Sequence, residues 1–345
     1  MLAIYPPVNT ALSYTIPTGI QRIEKDAFTI CPYLSSVTIP DDVTIIEKSA
    51  FTGCLNLAHI EIPDSVIEIG DFAFSGSGKL RTVTIPANVK TIGHGVFTRC
   101  PELYSVEIDT NNVNFSSISG VVFNKSKTKL ILFPEGRSDS SYTIPSSVKR
   151  IGTCAFTFCP SLTFVVLPEG VTEIGYTAFG SNPTLDAIVI PKSVTTINND
   201  AFFGTDPTIY GIKDSYAPQY AEEHYLPFVE YVRVKLNGKQ VLFDQPPIIE
   251  SGRTLVPFRA ILESLDATVG WDGNTQTVTA TKNNITISLQ IGSNILTKNG
   301  KNIGLDVPAK IVNNRTLIPV RAVAEALDAT VDWDGPTYTV IITNH

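Results

Sequence analysis

Leu34-Ser35-Ser36-Val37-Thr38-Ile39-Pro40 is followed, twenty-three residues on, by Leu57-Ala58-His59-Ile60-Glu61-Ile62-Pro63. The Ile-Pro pair recurs at Pro17, Pro40, Pro63, Pro86, Pro145 and Pro191, and as Leu-Pro at Pro168. A Phe stands eleven residues after each, from Phe28, Phe51, Phe74 and Phe97 to Phe156, Phe179 and Phe202. Alternation places the Val and Ile of L-x-x-V-x-I-P on one face of a short strand. One such strand cannot bury its apolar face alone, but stacked copies can, as a solenoid whose units touch their neighbours.

The gap of 59 between Pro86 and Pro145 hides a further unit, with Leu103, Val106 and Ile108 ahead of Asp109. An insertion at about 110–140 remains, and it reads as a hairpin. Val121–Phe123 and Leu130–Phe133 would be its strands, joined by Asn124–Lys129. Gly70, Gly93, Gly152 and Gly175 recur seven residues after the Pro, where a turn with positive φ is expected.

With V-T-I-P at 37–40 and 83–86 and Ala-Phe at 27–28, 50–51, 73–74, 155–156, 178–179 and 201–202, the pattern resembles the BspA-like class of bacterial leucine-rich repeats. The resemblance covers roughly residues 11–228. It implies a parallel strand ladder in a surface-exposed or secreted protein that binds proteins or host components, and it implies no catalytic residues. A lid is needed at the C-terminal end of the stack. Residues 215–224, with Asp214 or Ser215 as N-cap and Tyr216, Ala217, Tyr220 and Ala221 at helical spacing, read as a capping helix.

The five cysteines invite a disulfide reading, but register argues otherwise. Cys31, Cys54, Cys100 and Cys159 all stand fourteen residues after the Pro position, where other units carry Ser77, Asn182 and Thr205. They read as small, buried, reduced fillers of one repeat position. Cys154 and Cys159 lack the second ligand pair of a zinc site.

The remainder repeats with a period of 62. Asn237-Gly238, Asp244, Arg253-Thr254-Leu255, Pro257, Arg259, Leu265 to Val269 and Trp271-Asp272-Gly273 return as Asn299-Gly300, Asp306, Arg315-Thr316-Leu317, Pro319, Arg321, Leu327 to Val331 and Trp333-Asp334-Gly335. Asn-Gly between β-prone runs predicts that each copy opens on a hairpin. A helix near Pro257 or Pro319 follows, with core faces Phe258, Ile261, Leu262, Leu265 and Val320, Val323, Ala324, Leu327. Arg259–Glu263 and Arg321–Glu325 are spaced as i,i+4 ion pairs. G-R-T-L-V-P-F-R-A and N-R-T-L-I-P-V-R-A, each followed by L-D-A-T-V, look like the copper amine oxidase N-terminal-like domain of secreted bacterial proteins, over about 229–345. That region is an accessory stalk in the oxidases. The chain lacks the Asn-Tyr-Asp/Glu sequence that matures to their quinone, and its four histidines, His59, His94, His224 and His345, are not at ligand spacing. No copper site, no other cofactor and no oxidase activity are expected.

The fold class is therefore a mainly β leucine-rich-repeat solenoid over 1–228, followed by a small α+β domain with an internal duplication over 229–345. The net charge of −7 belongs to the first part, which holds 15 Lys+Arg and 22 Asp+Glu against 11 of each in the second. An acidic balance argues against nucleic acid as a partner, and no run has the ~20 apolar residues of a membrane span. There is no H-E-x-x-H and no G-x-S-x-G. Gly76-Ser77-Gly78-Lys79 fails as a phosphate loop, because Leu80 replaces its Ser/Thr and Ala73 its first Gly.

What remains is recognition. The outward strand positions are mostly Ser and Thr. Among the exceptions are His59 and Glu61, and an apolar set of Phe164, Val166, Ala187 and Val189. These six residues are the candidate partner site. The expectation is a non-catalytic, exported surface protein, its signal peptide removed from this chain. The solenoid would bind a protein or glycan, and the C-terminal module would serve attachment or spacing. The alternative is an accessory or hydrolytic factor for cell-wall or extracellular polysaccharide, with acids clustered at the hairpin. A third reading makes the C-terminal domain itself a binder of wall polysaccharide.

Overall fold

The computed structural model describes residues 5, 6, 9–241, 243, 245–312, 314–335 and 337–344. Asp244 and His345 lie outside the described residues. The chain forms two compact units, Met1–Pro207 with Glu223–Leu226, and Thr208–Glu222 with Pro227–His345. The helix expected to belong with the repeats, Tyr216–Glu223, thus groups for all but its last residue with the C-terminal residues. It buries Ala217, Tyr220 and Ala221 as expected. The Ser215 hydroxyl, ahead of the helix, donates to the Ile212 carbonyl at 2.6 Å.

In the first unit each coil has three walls. The first is the predicted parallel ladder. Ser13–Thr15 pairs with Ser36–Thr38, and this with His59–Ile60, each partner 23 residues away. Thr82–Ile85 pairs likewise with Ser105–Ile108, and Ser141–Thr143 with Phe164–Val166 and then Ala187–Ile190. The second wall is a ladder of two-residue strands, Arg22–Ile23, Ile45–Ile46, Glu68–Ile69 and Thr91–Ile92.

The third wall carries the Ala-Phe pair and is built from turns. Phe28, Phe51, Phe74 and Phe97 stack at centroid distances of 4.8, 5.2 and 5.4 Å, nearly parallel. Burying one such ring contributes ~1.5–3 kcal/mol. Alternate amides bond to the next coil, as Asp26, Phe28 and Ile30 do to the carbonyls of Lys48, Ala50 and Thr52. That alternation bends the backbone to positive φ at Asp26, Ser49, Phe72 and Cys154 (60°, 58°, 56° and 57°) and again at Ile30, Arg99 and Phe158. Left-handed non-glycine residues cost roughly 1–2 kcal/mol each, and the inter-coil hydrogen bonds offset part of that cost.

The recurrent glycines do something other than the sequence predicted. Gly70, Gly93, Gly152 and Gly175 are not at positive φ. A Cβ on Gly93 would stand 2.3 Å from the Asp71 nitrogen, and one on Gly70 2.4 Å from the Lys48 nitrogen. They are small because successive coils touch there, backbone to backbone.

The insertion is both more and less than a hairpin. Phe115–Ile118 and Val121–Asn124 pair antiparallel around Ser119-Gly120, both at positive φ, and Lys129–Leu132 pairs with Val121–Asn124. The last strand is also a repeat strand. Lys129 and Leu130 align in parallel with Arg150 and Ile151, starting a second ladder through Glu173–Ile174 and Thr196–Ile197. Phe133 starts a second ring stack, 5.1 Å from Phe156, which continues through Phe179 to Phe202 at 5.0 and 5.4 Å.

The cysteine position also has a structural task. At four coils the Phe carbonyl accepts a hydrogen bond from the side chain 26 positions on, whereas the Ser77 hydroxyl, 26 positions after Phe51, has no partner among the described residues. Cys54 donates to Phe28 (3.1 Å), Cys100 to Phe74 (3.3 Å), Asn182 to Phe156 (2.6 Å) and Thr205 to Phe179 (2.9 Å). A buried carbonyl needs such a donor, so Cys, Asn and Thr interchange here. All five cysteines are buried free thiols.

In the second unit both Asn-Gly pairs form the expected hairpins, with φ of 49° and 79° at Asn237-Gly238 and 47° and 80° at Asn299-Gly300. Helices Phe258–Ser264 and Val320–Ala326 follow Pro257 and Pro319, and Ile261, Leu262, Leu265, Val320, Val323, Ala324 and Leu327 are buried. Phe258 is only half-buried. Each helix stops at an Asp in the left-handed region, Asp266 (65°) and Asp328 (61°), a conformation Asp tolerates. The copies are interleaved. Arg253–Pro257 pairs antiparallel with Arg315–Pro319, and the opening strand of copy one, Arg233–Leu236, runs parallel to the closing strand of copy two, Thr339–Thr343.

Candidate functional site

The outward strand positions are largely as the alternation predicts. Ser13, Thr15, Thr38, His59, Glu61, Thr82, Thr84, Ser141 and Thr143 are exposed, while their inward neighbours Val37, Ile60 and Val83 are buried. His59 is the register partner of Ser36 on this face. At the next coil but one the face is occupied. The inserted hairpin lies against Ser105–Ile108, with Gly120 so close that a Cβ there would stand 2.3 Å from the Ser105 hydroxyl. Glu107 accepts from the hydroxyls of Ser105 (2.6 Å) and Ser117 (3.1 Å), which ties strand to hairpin.

The apolar set requires a correction. Phe164 does adjoin Ala187, and Val166 adjoins Val189, across paired strands. All four are buried, at 7, 8, 9 and 3 % exposure respectively. Four adjacent apolar side chains left in water would forfeit ~25 cal/mol per Å², and the folded chain covers them. They form no open partner site.

At the hairpin's end stands one unusual acid. Glu135 accepts hydrogen bonds from the backbone of Cys100 and Arg99, and burial pushes its carboxyl up to about 7. Its Oε2 is buried with no hydrogen-bond partner among the described residues. The two backbone donors and the nearby Arg99 charge oppose that rise.

Two clefts in the second unit come as a pair. One cleft, of about 650 Å³, sets Trp271, Arg259 and Glu263 of copy one against Asn314, Arg315 and Thr316 of copy two. The other, of about 820 Å³, sets Trp333, Arg321 and Glu325 of copy two against Gly252, Arg253 and Thr254 of copy one. Every one of these residues has its counterpart 62 positions away. Trp271 and Trp333 are 41 and 45 % exposed. Arg259 reaches Glu263 at 3.5 Å, whereas Arg253 pairs with Asp306 at 2.6 Å. The expected Arg321–Glu325 pair is not among the ion pairs of the described residues. Sequence reasoning used the tryptophans only as repeat markers. That the chain has two Trp, both at one repeat position, was a signal for a paired site.

Among the described residues no three His, Cys, Asp or Glu stand together to hold a metal ion. The described part of the second unit has neither His nor Cys. No helix among the described residues is long and apolar enough to cross a membrane.

Comparison with known proteins agrees with this architecture. The model of the BspA type leucine-rich repeat region matches residues 21–139 and 132–209, in six copies. The model of the copper amine oxidase N-terminal domain matches residues 235–342. Neither describes a catalytic domain. A leucine-rich repeat protein from Eubacterium ventriosum is similar at 27% identity and a TM-score of 0.51, over 59% of this chain and 61% of that one. The chain thus spans less than two thirds of that protein's length. A leucine-rich cell surface protein from Faecalibacterium prausnitzii matches at 26% identity over 64% of this chain and 78% of its own, with a TM-score of 0.38. No curated protein matches the chain.

Proposed function

Since the chain belongs to the BspA type leucine-rich repeat family, we propose that it is a non-catalytic bacterial surface protein whose solenoid is an interaction scaffold. The solenoid would bind a protein or glycan partner, and the C-terminal module would serve attachment. The observation that carries this reading is the exposed polar ladder, Ser13/Thr15 through His59/Glu61 to Thr82/Thr84, held rigidly by inward Val and Ile. Side chains in such a row are set by the 23-residue repeat and can be varied singly without touching the core. With Phe164, Val166, Ala187 and Val189 covered, His59 and Glu61 are the two predicted site residues left on an open surface.

A photo-crosslinking residue placed at His59 or Thr84, in the protein expressed by its own organism, tests the reading. Discrete adducts from these positions, on protein that external protease removes from intact cells, are the expected result. No adduct from either position, or a chain shielded from protease in intact cells, would overturn it.

A further inference from the structure

We propose that the duplicated C-terminal unit is a two-site lectin, whose Trp271 and Trp333 clefts each hold a pyranose ring of a β-1,4-linked glycan. The proposal deepens the attachment role above by naming its ligand class. Each cleft combines a half-exposed indole with a guanidinium and a carboxylate, Arg259 and Glu263 in one, Arg321 and Glu325 in the other. An exposed indole offers a flat apolar platform with a polar edge. A pyranose with equatorial substituents has the complementary shape, since its axial C–H groups form an apolar face and its hydroxyls ring the edge. Donors and acceptors set beside the platform then fix the ring's orientation.

Three further observations point to a sugar polymer. Both volumes fall in the ~300–1,000 Å³ range of small-molecule sites, which suits one or two rings. The Trp-Asp-Gly turn sets a glycine beside the indole edge in both copies: a Cβ on Gly273 or Gly335 would lie 3.7 or 3.5 Å from the Nε1 of Trp271 or Trp333, so no side chain of the turn is placed over that edge. Neither Nε1 has a hydrogen-bond partner among the described residues. Finally, the sites are equivalent by the 62-residue repeat, and two equivalent sites on one module match a ligand that presents the same unit repeatedly. Linked sites raise retention on a polymer by 10²–10⁴ over one site.

The clefts differ in one respect that bears on specificity. Asp332 and Asp306 line the Trp333 cleft, whereas Gly270 stands at the position equivalent to Asp332. The Trp333 cleft is therefore the poorer host for an acidic sugar.

The test uses the full chain and its own fluorescence, because the two Trp of the sequence are the two cleft residues. Cellohexaose and chitohexaose, which share ring geometry and differ in the acetamido group, are titrated separately. A saturable change in Trp emission with at least one of them is expected, and which one responds separates a plain glucan from an amino-sugar chain. Trp271→Ala and Trp333→Ala each remove one component of the change and lower retention on the matching insoluble polymer at least tenfold. Arg259→Gln and Arg321→Gln, both at exposed positions, weaken binding while leaving the fold intact. No emission change with either sugar at millimolar concentration, or a response only to a proline-rich peptide, would overturn the proposal. Crosslinking at the solenoid face is a separate readout, so failure of one does not imply failure of the other.

Discussion

Val256 and Ile318 hold the same place in the two 62-residue copies, and they are register partners across the central antiparallel strands. The flanking pairs, Leu255 with Pro319 and Pro257 with Leu317, exchange copies about that point. A local twofold therefore runs between Val256 and Ile318, and each cleft draws on both copies because of it. Both residues are fully buried. Ile318→Ala is expected to cost ~2–4 kcal/mol. Urea unfolding followed by Trp emission measures this in the C-terminal unit alone, since both Trp lie there.

The ring stacks carry the solenoid. Phe51 is fully buried between Phe28 and Phe74. Phe51→Ala is expected to cost ~3–5 kcal/mol, visible as an earlier far-UV transition in urea. A loss below 1 kcal/mol would show that the rings are not packed as described.

Coil spacing is fixed by the close-contact glycines. Gly93→Ala places a methyl 2.3 Å from a backbone nitrogen, and overpacking of this kind costs ~1–3 kcal/mol. Lys90→Ala, at an exposed position of the same coil, is the control and is expected to be near neutral.

The cysteines are protected thiols. Burial pushes Cys54 and Cys100 up to about 12 and raises Cys31 and Cys159 as well. Reaction requires the thiolate. At pH 8 the native chain is expected to be silent to a disulfide-exchange reagent, and the unfolded chain to react at all five. Rapid labelling of the folded chain would contradict this.

Glu135 makes stability depend on pH. Burial pushes its carboxyl up to about 7 from an ordinary 4.5, so the folded state holds the proton more tightly. The stability it contributes is full below about 4.5 and is lost as pH rises through about 7. Glu135→Gln is expected to gain ~1 kcal/mol at pH 8 relative to pH 4.5, after allowance for the solvent that reaches this half-buried group. Urea midpoints at the two pH values check it, and equal effects at both would refute it.

The solenoid was legible because every coil repeats one environment, so Pro, Phe and Val reappear wherever that environment does. Phe133 was missed as a repeat Phe although it lies 23 residues before Phe156, because no Pro marks its coil. The glycine role was misread because sequence shows where small residues recur but not whether φ or a neighbouring coil demands them. Phe164 was placed correctly beside Ala187, and Val166 beside Val189. Their burial was not legible, since alternation along a strand says nothing of what lies over its outer face. The clefts were hidden for another reason: Trp271 and Arg315 are 44 residues apart, and only the pairing of Arg253–Pro257 with Arg315–Pro319 brings them together.

The hairpin at Phe115–Asn124 ends one ring stack at Phe97 and lets another begin at Phe133. A repeat array loses structure by fraying from its ends, coil by coil, because each coil leans only on its neighbours. A break in the aromatic column acts on such fraying as a firebreak. Opening that starts at the N-terminal coils has no continuous stack along which to spread past residue 97. Amide exchange should accordingly fall into two protection tiers, one on each side of the insert. The second column can then stay folded while the first opens.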